Sequence, residues 1–148
     1  MDLFCYAFKN NKGELESPFL EYLEKYAIEK TDSEEKKRKK VKKIMNIKAH
    51  LEYLFTNNGK YDLPPIVQKY KNREIGILKI KESDKLIRIA FFTKIDKQII
   101  FLNAFDKPKL YEKGKKQKVD KMIEKILDQV ENFKLNFLKD KLYIPLNI

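Results

Sequence analysis

The stretch from Arg73 to Lys107 constrains the fold of this chain more than any other part of its sequence. It reads REIGILKIKESDKLIRIAFFTKIDKQIIFLNAFDK, with apolar runs separated by two short polar segments. Apolar residues alternate with polar ones or cluster over short stretches, as in half-buried or fully buried strands. The pattern predicts three strands, at about 74–81, 85–93 and 98–105, joined by turns at 82–84 and 95–97. Connections this short indicate a small antiparallel sheet.

Basic residues recur on these predicted strands, at Lys79, Lys81, Arg88 and Lys107. A sheet that only packs against helices does not need cations on neighbouring strands. Cations in register across a sheet favour binding of phosphate groups. The segment therefore predicts a phosphate-binding surface.

The residues before this sheet predict one strand and two helices. An apolar run at 3–8 predicts the strand, and a turn containing Gly13 follows it. Ser17 and Pro18 are suited to the cap and the first turn of a helix. A second helix is expected to start near Thr31, which has capping-box spacing to Glu34, and to end at 57–59.

The residues after the sheet predict a third helix and a tail. Apolar residues recur at helical spacing, which predicts a helix face that packs into the core. These residues are Val119, Met122, Ile123, Ile126, Leu127 and Val130. The tail at 134–148 contains LYIPLNI, and an edge strand, a docking segment and disorder are all compatible with it.

Composition indicates one domain, residues 1–148, with a polyanionic partner. The 148 residues carry a net charge of +11, which favours binding to nucleic acid, an anionic membrane surface or an acidic protein. The single cysteine, Cys5, excludes an internal disulfide and fits a reducing compartment. With no apolar stretch as long as a membrane span, we expect a cytoplasmic protein without a membrane segment.

Two further features each allow a structural and a functional interpretation. The run KKRKKVKK at 36–43 is either a solvated helix face or a flank that tracks phosphates. The single histidine, His50, lies inside the second predicted helix, where a surface or packing role is the more common one. No cluster of Cys, His or acidic residues has the spacing of a metal site, so neither a metal nor a cofactor is expected.

The order strand, two helices, three strands and helix resembles the RelE/HigB toxin superfamily, and within it the phage-derived HigB-like branch. The resemblance spans about Phe4 to Phe133. Four segments carry it: ESPFLEYLEKY, IGILKI, IRIAFF and IIFLNAFDKPK. It implies an α+β, RelE-like fold, with an antiparallel sheet of about four strands packed against two N-terminal helices and a C-terminal helix. The chain departs from the family pattern at Lys79, where members often have arginine, and at Ala104, where they have glycine.

The resemblance also implies a function, because members cleave messenger RNA in the ribosomal decoding site. By position, Arg88 would stabilise the scissile phosphate and Lys107 would be a second phosphate contact or a proton donor. Tyr111 would stack on a base or serve as acid or base. Lys79 supplies only a point charge where an arginine would be bidentate. The remaining candidates would bind the RNA backbone: Lys81, Lys109, Lys113, Lys115 and Lys116.

The implied protein is the toxin of a type II toxin–antitoxin pair, a ribosome-dependent endoribonuclease that inhibits translation. Its partners would be messenger RNA on the ribosome and a cognate antitoxin, a small helix-turn-helix protein. Two alternatives stay open at the level of sequence. One is a ParE-like inhibitor of DNA gyrase, in which the catalytic basic residues are absent. The other is a basic RNA-binding protein without catalysis, derived from a phage.

Overall fold

The computed structural model describes residues 3–71 and 73–147, which contain eight strands and three α-helices. The N-terminal elements are β1 (Leu3–Tyr6), β2 (Phe8–Lys9), β3 (Leu15–Glu16), α1 (Pro18–Leu23), a 3-10 turn (Glu24–Tyr26) and α2 (Glu34–Thr56). The C-terminal elements are β4 (Val67–Lys69), β5 (Gly76–Lys81), β6 (Leu86–Thr93), β7 (Ile99–Lys107), α3 (Lys116–Asp140) and β8 (Tyr143–Pro145).

Both N-terminal helices begin at a serine cap. The Ser17 hydroxyl accepts a hydrogen bond from the Leu20 N–H, as the Ser-Pro pair predicts. The second helix is capped by Ser33, whose hydroxyl accepts from the Lys36 N–H at 3.1 Å. The predicted capping box at Thr31 is therefore wrong, because the residue next to the first helical turn supplies the cap. The predicted end is confirmed, with Asn58 and Gly59 both at positive φ.

The main sheet has six strands in the order β4-β5-β6-β7-β1-β8. The strands β4, β5, β6 and β7 are antiparallel neighbours, whereas β1 pairs with β7 in parallel. The α+β class is confirmed, but the prediction of about four antiparallel strands is wrong. The two additional strands, β4 and β8, are three residues long and lie at the sheet edges, so they leave little periodic signal in the sequence.

Helices cover both faces of this sheet and enclose two apolar cores. The face under α1 and α2 buries residues from every central strand, including Leu78, Ile87, Ile89, Phe91 and Phe101. The opposite face packs against α3 and buries Ile77, Ala90, Phe92, Ile100 and Leu102 with Val130 and Phe137 of the helix. The alternation of β5, β6 and β7 therefore serves two cores, as expected for strands covered on both sides.

The third helix differs from its prediction at both ends. It continues to Asp140, so 134–140 are helical, and the tail then forms β8 against β1. Only Val130 of the predicted apolar stripe is fully buried, and Met122 is 57% exposed. The prediction of a core stripe is therefore wrong for the first turns of α3. Within residues 3–71 and 73–147, no helix has the length and apolar character that crossing a bilayer requires.

Candidate phosphate-binding site

Three of the predicted cations share one face and one end of the sheet. The register of β5 and β6 pairs Lys79 with Arg88, and that of β6 and β7 pairs Leu86 with Lys107. Residues directly paired across strands point to the same face, and so do residues two apart on one strand. Lys79, Arg88 and Lys107 therefore all lie on the α3 side of the sheet, and Lys81 joins them because it also pairs with Leu86.

Lys79 and Arg88 are paired directly across β5 and β6, in the pair type that brings side chains closest together. The Lys79 N–H donates to the Ile66 carbonyl oxygen at 2.7 Å, so it points away from β6. The pair is thus a non-hydrogen-bonded one, in which Cα atoms are about 4.5 Å apart and side chains are nearest. Like charges directly opposite destabilise a sheet. A fold that keeps two cations there retains them at a cost in stability.

The three cations line a cavity of about 320 Å³. Its other walls come from β4 and the residues after it, from β5 and β7, and from the first turns of α3, and they include two further lysines, Lys69 and Lys71. Those walls are Gln68, Lys69, Tyr70, Lys71, Ile77, Phe105, Ile123 and Leu127. The incompletely buried apolar residues of α3 thus form a wall of this cavity.

Burial and mutual repulsion act on the charges of this cavity. Burial lowers the pKa of Lys79, and the positive charges of Arg88 and Lys107 lower it further. Burial also lowers the pKa of Arg88. Among residues 3–71 and 73–147, no acidic side chain lines the cavity and no ion pair involves Lys79, Arg88 or Lys107. An anion entering the cavity would relieve this repulsion.

Two hydrogen bonds fix the Arg88 side chain and the Lys79 backbone beside the cavity. Arg88 donates from Nη1 to the Ile87 carbonyl oxygen at 3.2 Å, which ties one side of the guanidinium to its own strand. The Lys79 backbone is fixed by the bond to Ile66. The cations therefore project from hydrogen-bonded strand backbone rather than from a loop, as positioning of a reacting group requires.

Tyr111 lies outside this group of cations. Its hydroxyl donates to the Asp120 carboxylate at 3.1 Å, and burial together with this hydrogen bond raises the pKa of Tyr111. The walls of the cavity formed by the described residues do not include it. Its catalytic role stays a prediction, one that the fold does not bring together with Arg88.

Among the described residues, the five lysines predicted to bind the RNA backbone do not line the cavity of the three cations, although Lys81 lies on the same face of the sheet. Lys113, Lys115 and Lys116 are exposed between β7 and the start of α3, and the Lys115 ammonium pairs with Glu112 at 3.0 Å. Lys109 and Lys81 instead line a second, larger cavity around the edge of β5. Roles for all five in RNA binding stay predictions.

The basic run of α2 contrasts with the cavity, because most of its cations have acidic partners. Asp32, Glu34, Glu35 and Asp84 supply these partners. The paired cations are Lys36, Lys37, Lys39, Lys40 and Lys43. The interpretation of this run as a solvated, ion-paired helix face is the one that these contacts favour.

The sequence did not indicate the contribution of β4 to the site. Tyr70 is only 9% exposed and lines the cavity, with the Lys71 ammonium 5.3 Å from the centre of its ring. Pro64 and Pro65 precede this segment, and prolines favour a loop there over a strand. The β-branched Ile66 and Val67 and the aromatic Tyr70 are the local signal of a strand there, but they form too short a pattern to predict it.

The arrangement has the chemistry of an anion site rather than of a metal centre. Three fixed cations can bind a phosphate and stabilise negative charge that develops on it. Tyr70 adds an aromatic hydroxyl residue to the same cavity. Among the residues whose positions the structure gives, no three His, Cys, Asp or Glu side chains are grouped as metal ligands would be.

Comparison with known families places the chain in a phage-derived class of proteins. The family described as Phage derived protein Gp49-like (DUF891) matches residues 47–131, which is more than half of the chain. The chain therefore belongs to the Gp49-like family, which is in general a RelE/HigB-like toxin family. The matched segment includes Lys79, Arg88 and Lys107. No curated protein matches this chain. Assignment to a HigB-like branch and to a single domain stay predictions.

Proposed function

We propose that this protein is the toxin of a type II toxin–antitoxin pair and cleaves messenger RNA on the ribosome without a metal ion. The observation that carries the proposal is the convergence of Lys79, Arg88 and Lys107 on one cavity, which no acidic residue in the described part of the chain lines. Membership of the Gp49-like family supports the toxin class. The high net positive charge of the chain supports an RNA partner.

The proposed reaction is attack of a ribose 2′-hydroxyl on the adjacent phosphorus. The new P–O bond forms as the bond to the 5′-oxygen of the next nucleotide breaks, so the hydroxyl loses a proton and the leaving oxygen gains one. Arg88 and Lys79 would stabilise the negative charge on the phosphate, and Lys107 would contact it or donate the proton. Tyr70 is the aromatic hydroxyl residue beside these cations.

The partners follow from the same charges. The ribosome would present the message in a reactive geometry, so that modest catalytic groups in the toxin are sufficient. A cognate antitoxin, a small helix-turn-helix protein, would carry acidic residues where it covers Lys107 and Arg88. Covering these cations would both neutralise them and exclude RNA.

The test is induced expression of the wild-type chain and of Arg88→Ala, with primer extension on cellular messages. The wild type should stop growth and give cleavage sites within translated codons. Arg88→Ala should reduce cleavage by about 100-fold to 1,000-fold, the usual effect of losing one charge-stabilising donor. Lys139→Ala is the matched control, since it removes one positive charge at the far end of α3.

Both variants should melt within a few degrees of the wild type, which separates a catalytic effect from unfolding. Full toxicity of Arg88→Ala would contradict its proposed role. If the purified protein inhibited DNA supercoiling while messages stayed intact, the chain would be a gyrase inhibitor and not a nuclease. RNA binding without cleavage in a translating system would leave only the non-catalytic RNA-binding protein.

A further inference from the structure

A second cavity lies around the part of β5 that β4 leaves uncovered. The register of β4 covers β5 only from Gly76 to Leu78, so Lys79–Lys81 form a free edge beyond the hydrogen bond to Ile66. The cavity at this edge has a volume of about 890 Å³, within the range of sites that hold small organic groups. It shares Lys79 and Arg88 with the phosphate-binding cavity.

The walls of the second cavity combine apolar surface with cations at its margin. Pro65 and Ile66 approach from the loop before β4, Leu86 from the start of β6, and Leu110 from the segment after β7. Leu110 lines this cavity although it is 86% exposed. Lys81 and Lys109 add positive charge. Apolar walls can cover the face of a base, and neighbouring cations can bind its phosphate.

His50 gives this cavity a directional polar group. Its Nδ1 lies 2.8 Å from the Asn46 carbonyl oxygen, so in the neutral ring Nδ1 carries the proton and donates to that oxygen. Nε2 is then the acceptor, and it has no hydrogen-bond partner among the described residues. Every nucleobase has at least one N–H donor on an edge that such an acceptor can bind.

We propose that the second cavity is a nucleobase subsite, which binds the base next to the phosphate held by Lys79 and Arg88. The inference rests on the proposed function for its choice of RNA. Because the two cavities share these cations, a phosphate in the first would direct its neighbouring base into the second. An acidic peptide would satisfy the cations, but it would leave the apolar walls and the His50 acceptor without a matching group.

The test is equilibrium binding of short, non-cleavable RNA to the full chain, measured by fluorescence anisotropy. One probe is a 2′-O-methyl pentanucleotide, and the other is the same oligomer with its central base removed. The wild type should bind the complete oligomer about tenfold more tightly, as expected when one base is buried against apolar walls and forms a hydrogen bond. His50→Ala and Leu110→Ala should each reduce this preference to about threefold or less, with unchanged affinity for the abasic probe.

Leu138→Ala is the matched control, because it truncates another exposed leucine, on the last turns of α3, away from both cavities. It should keep the full preference for the complete oligomer. Circular dichroism of each variant verifies that the fold is intact. Unchanged preference in both cavity variants, or no preference in the wild type, would overturn the proposal.

Two further results separate this inference from the nuclease proposal. If poly-glutamate binding falls in the cavity variants while oligomer binding is unchanged, the site takes an acidic protein and the base subsite is wrong. Since the probes cannot be cleaved, base preference without any nuclease activity would contradict only the proposed reaction. Cleavage in cells with no base preference would contradict only the subsite.

Discussion

At the end of the sheet formed by β5, β6 and β7, the cations on one face pair with a carboxylate, whereas those on the other face line a cavity. On the α1 side, Asp106 accepts hydrogen bonds from the Tyr22 hydroxyl at 2.5 Å, the Lys25 ammonium at 2.8 Å and the Lys85 ammonium at 3.0 Å. On the α3 side, no carboxylate of a residue that the structure describes lines the cavity of Lys79, Arg88 and Lys107.

This difference arises between adjacent residues of one strand. Asp106 and Lys107 follow each other in β7, and alternation sends their side chains to opposite faces. The Lys25 ammonium is also 3.9 Å from the centre of the Tyr22 ring, so the paired side links α1 to the sheet. Paired charge on one face therefore stabilises the fold, whereas unpaired charge on the other is available to a ligand.

The largest change in free energy is expected when the paired charges around Asp106 are disrupted. Asp106→Asn should lower the free energy of unfolding by about 1–2 kcal/mol, because it weakens charge-assisted hydrogen bonds that are partly exposed to solvent. RNA cleavage by the remaining folded protein should be unchanged. Urea denaturation followed by circular dichroism measures the first, and a translating extract measures the second. A loss of cleavage equal to that of Arg88→Ala would show that the two faces are not separate in function.

The same residue should make stability depend on acid. Burial raises the pKa of Asp106, but hydrogen bonds from Lys25, Tyr22 and Lys85 outweigh it and hold the pKa below its ordinary value. An unfolded aspartate has a pKa of about 3.9, so the contribution of Asp106 is complete above that pH. It is lost as the pH falls through the lower, folded value. The difference in unfolding free energy between wild type and Asp106→Asn should therefore shrink below about pH 4, as measured by denaturation at several pH values.

A carboxylate introduced into the cavity of Lys79, Arg88 and Lys107 should pair with these cations, as Asp106 does with cations on the other face. Gln68 is exposed and lines the cavity of Lys79, Arg88 and Lys107, so Gln68→Glu adds an acid there without changing side-chain size. Binding of single-stranded RNA should weaken by about threefold to tenfold, because the new charge repels phosphate and pairs with the cations. Gln129→Glu, on the exposed surface of α3, is the matched control. Equal weakening in both variants would mean that net charge alone controls affinity.

The smallest effect is expected from removing one cation of the opposed pair. Lys79→Met keeps the length of the side chain but removes its repulsion with Arg88, and it should raise the free energy of unfolding by about 0.2–1 kcal/mol. RNA binding should fall in the same variant. Lys81→Met, whose cross-strand partner is Leu86, should leave stability nearly unchanged. The urea midpoints of the two variants measure this difference, and a destabilised Lys79→Met would contradict the cost assigned to the pair.

Much of the central sheet was predictable from local patterns. The strands observed at Gly76–Lys81, Leu86–Thr93 and Ile99–Lys107 lie within two residues of their predicted bounds at each end. Their apolar residues pack on both faces, so burial and strand propensity agree at nearly every position. The alignment of Lys79 with Arg88 follows from a short turn between strands of this length.

Other parts of the site depend on contacts between distant segments. Tyr70 reaches the cavity only because β4 pairs with β5, and three residues carry too little pattern to predict that pairing. The first turns of α3 have a good apolar stripe, yet they lie beside the cations instead of over a core. A helical pattern shows which residues share a face, but it does not show what that face contacts.

The sequence by itself determined the α+β class, the three central strands, with Lys79 and Arg88 on two of them, and the serine-capped first helix. These follow from periodicities of a few residues, which the backbone geometry of strands and helices imposes locally. Only the tertiary structure decided that β4 and β8 extend the sheet and that Lys107 shares a face with Lys79 and Arg88. It also decided that the first turns of α3 lie beside these cations, and that Asp106 accepts hydrogen bonds from Lys25 and Lys85 on the opposite face. Those outcomes depend on which surfaces meet, and long-range packing selects them.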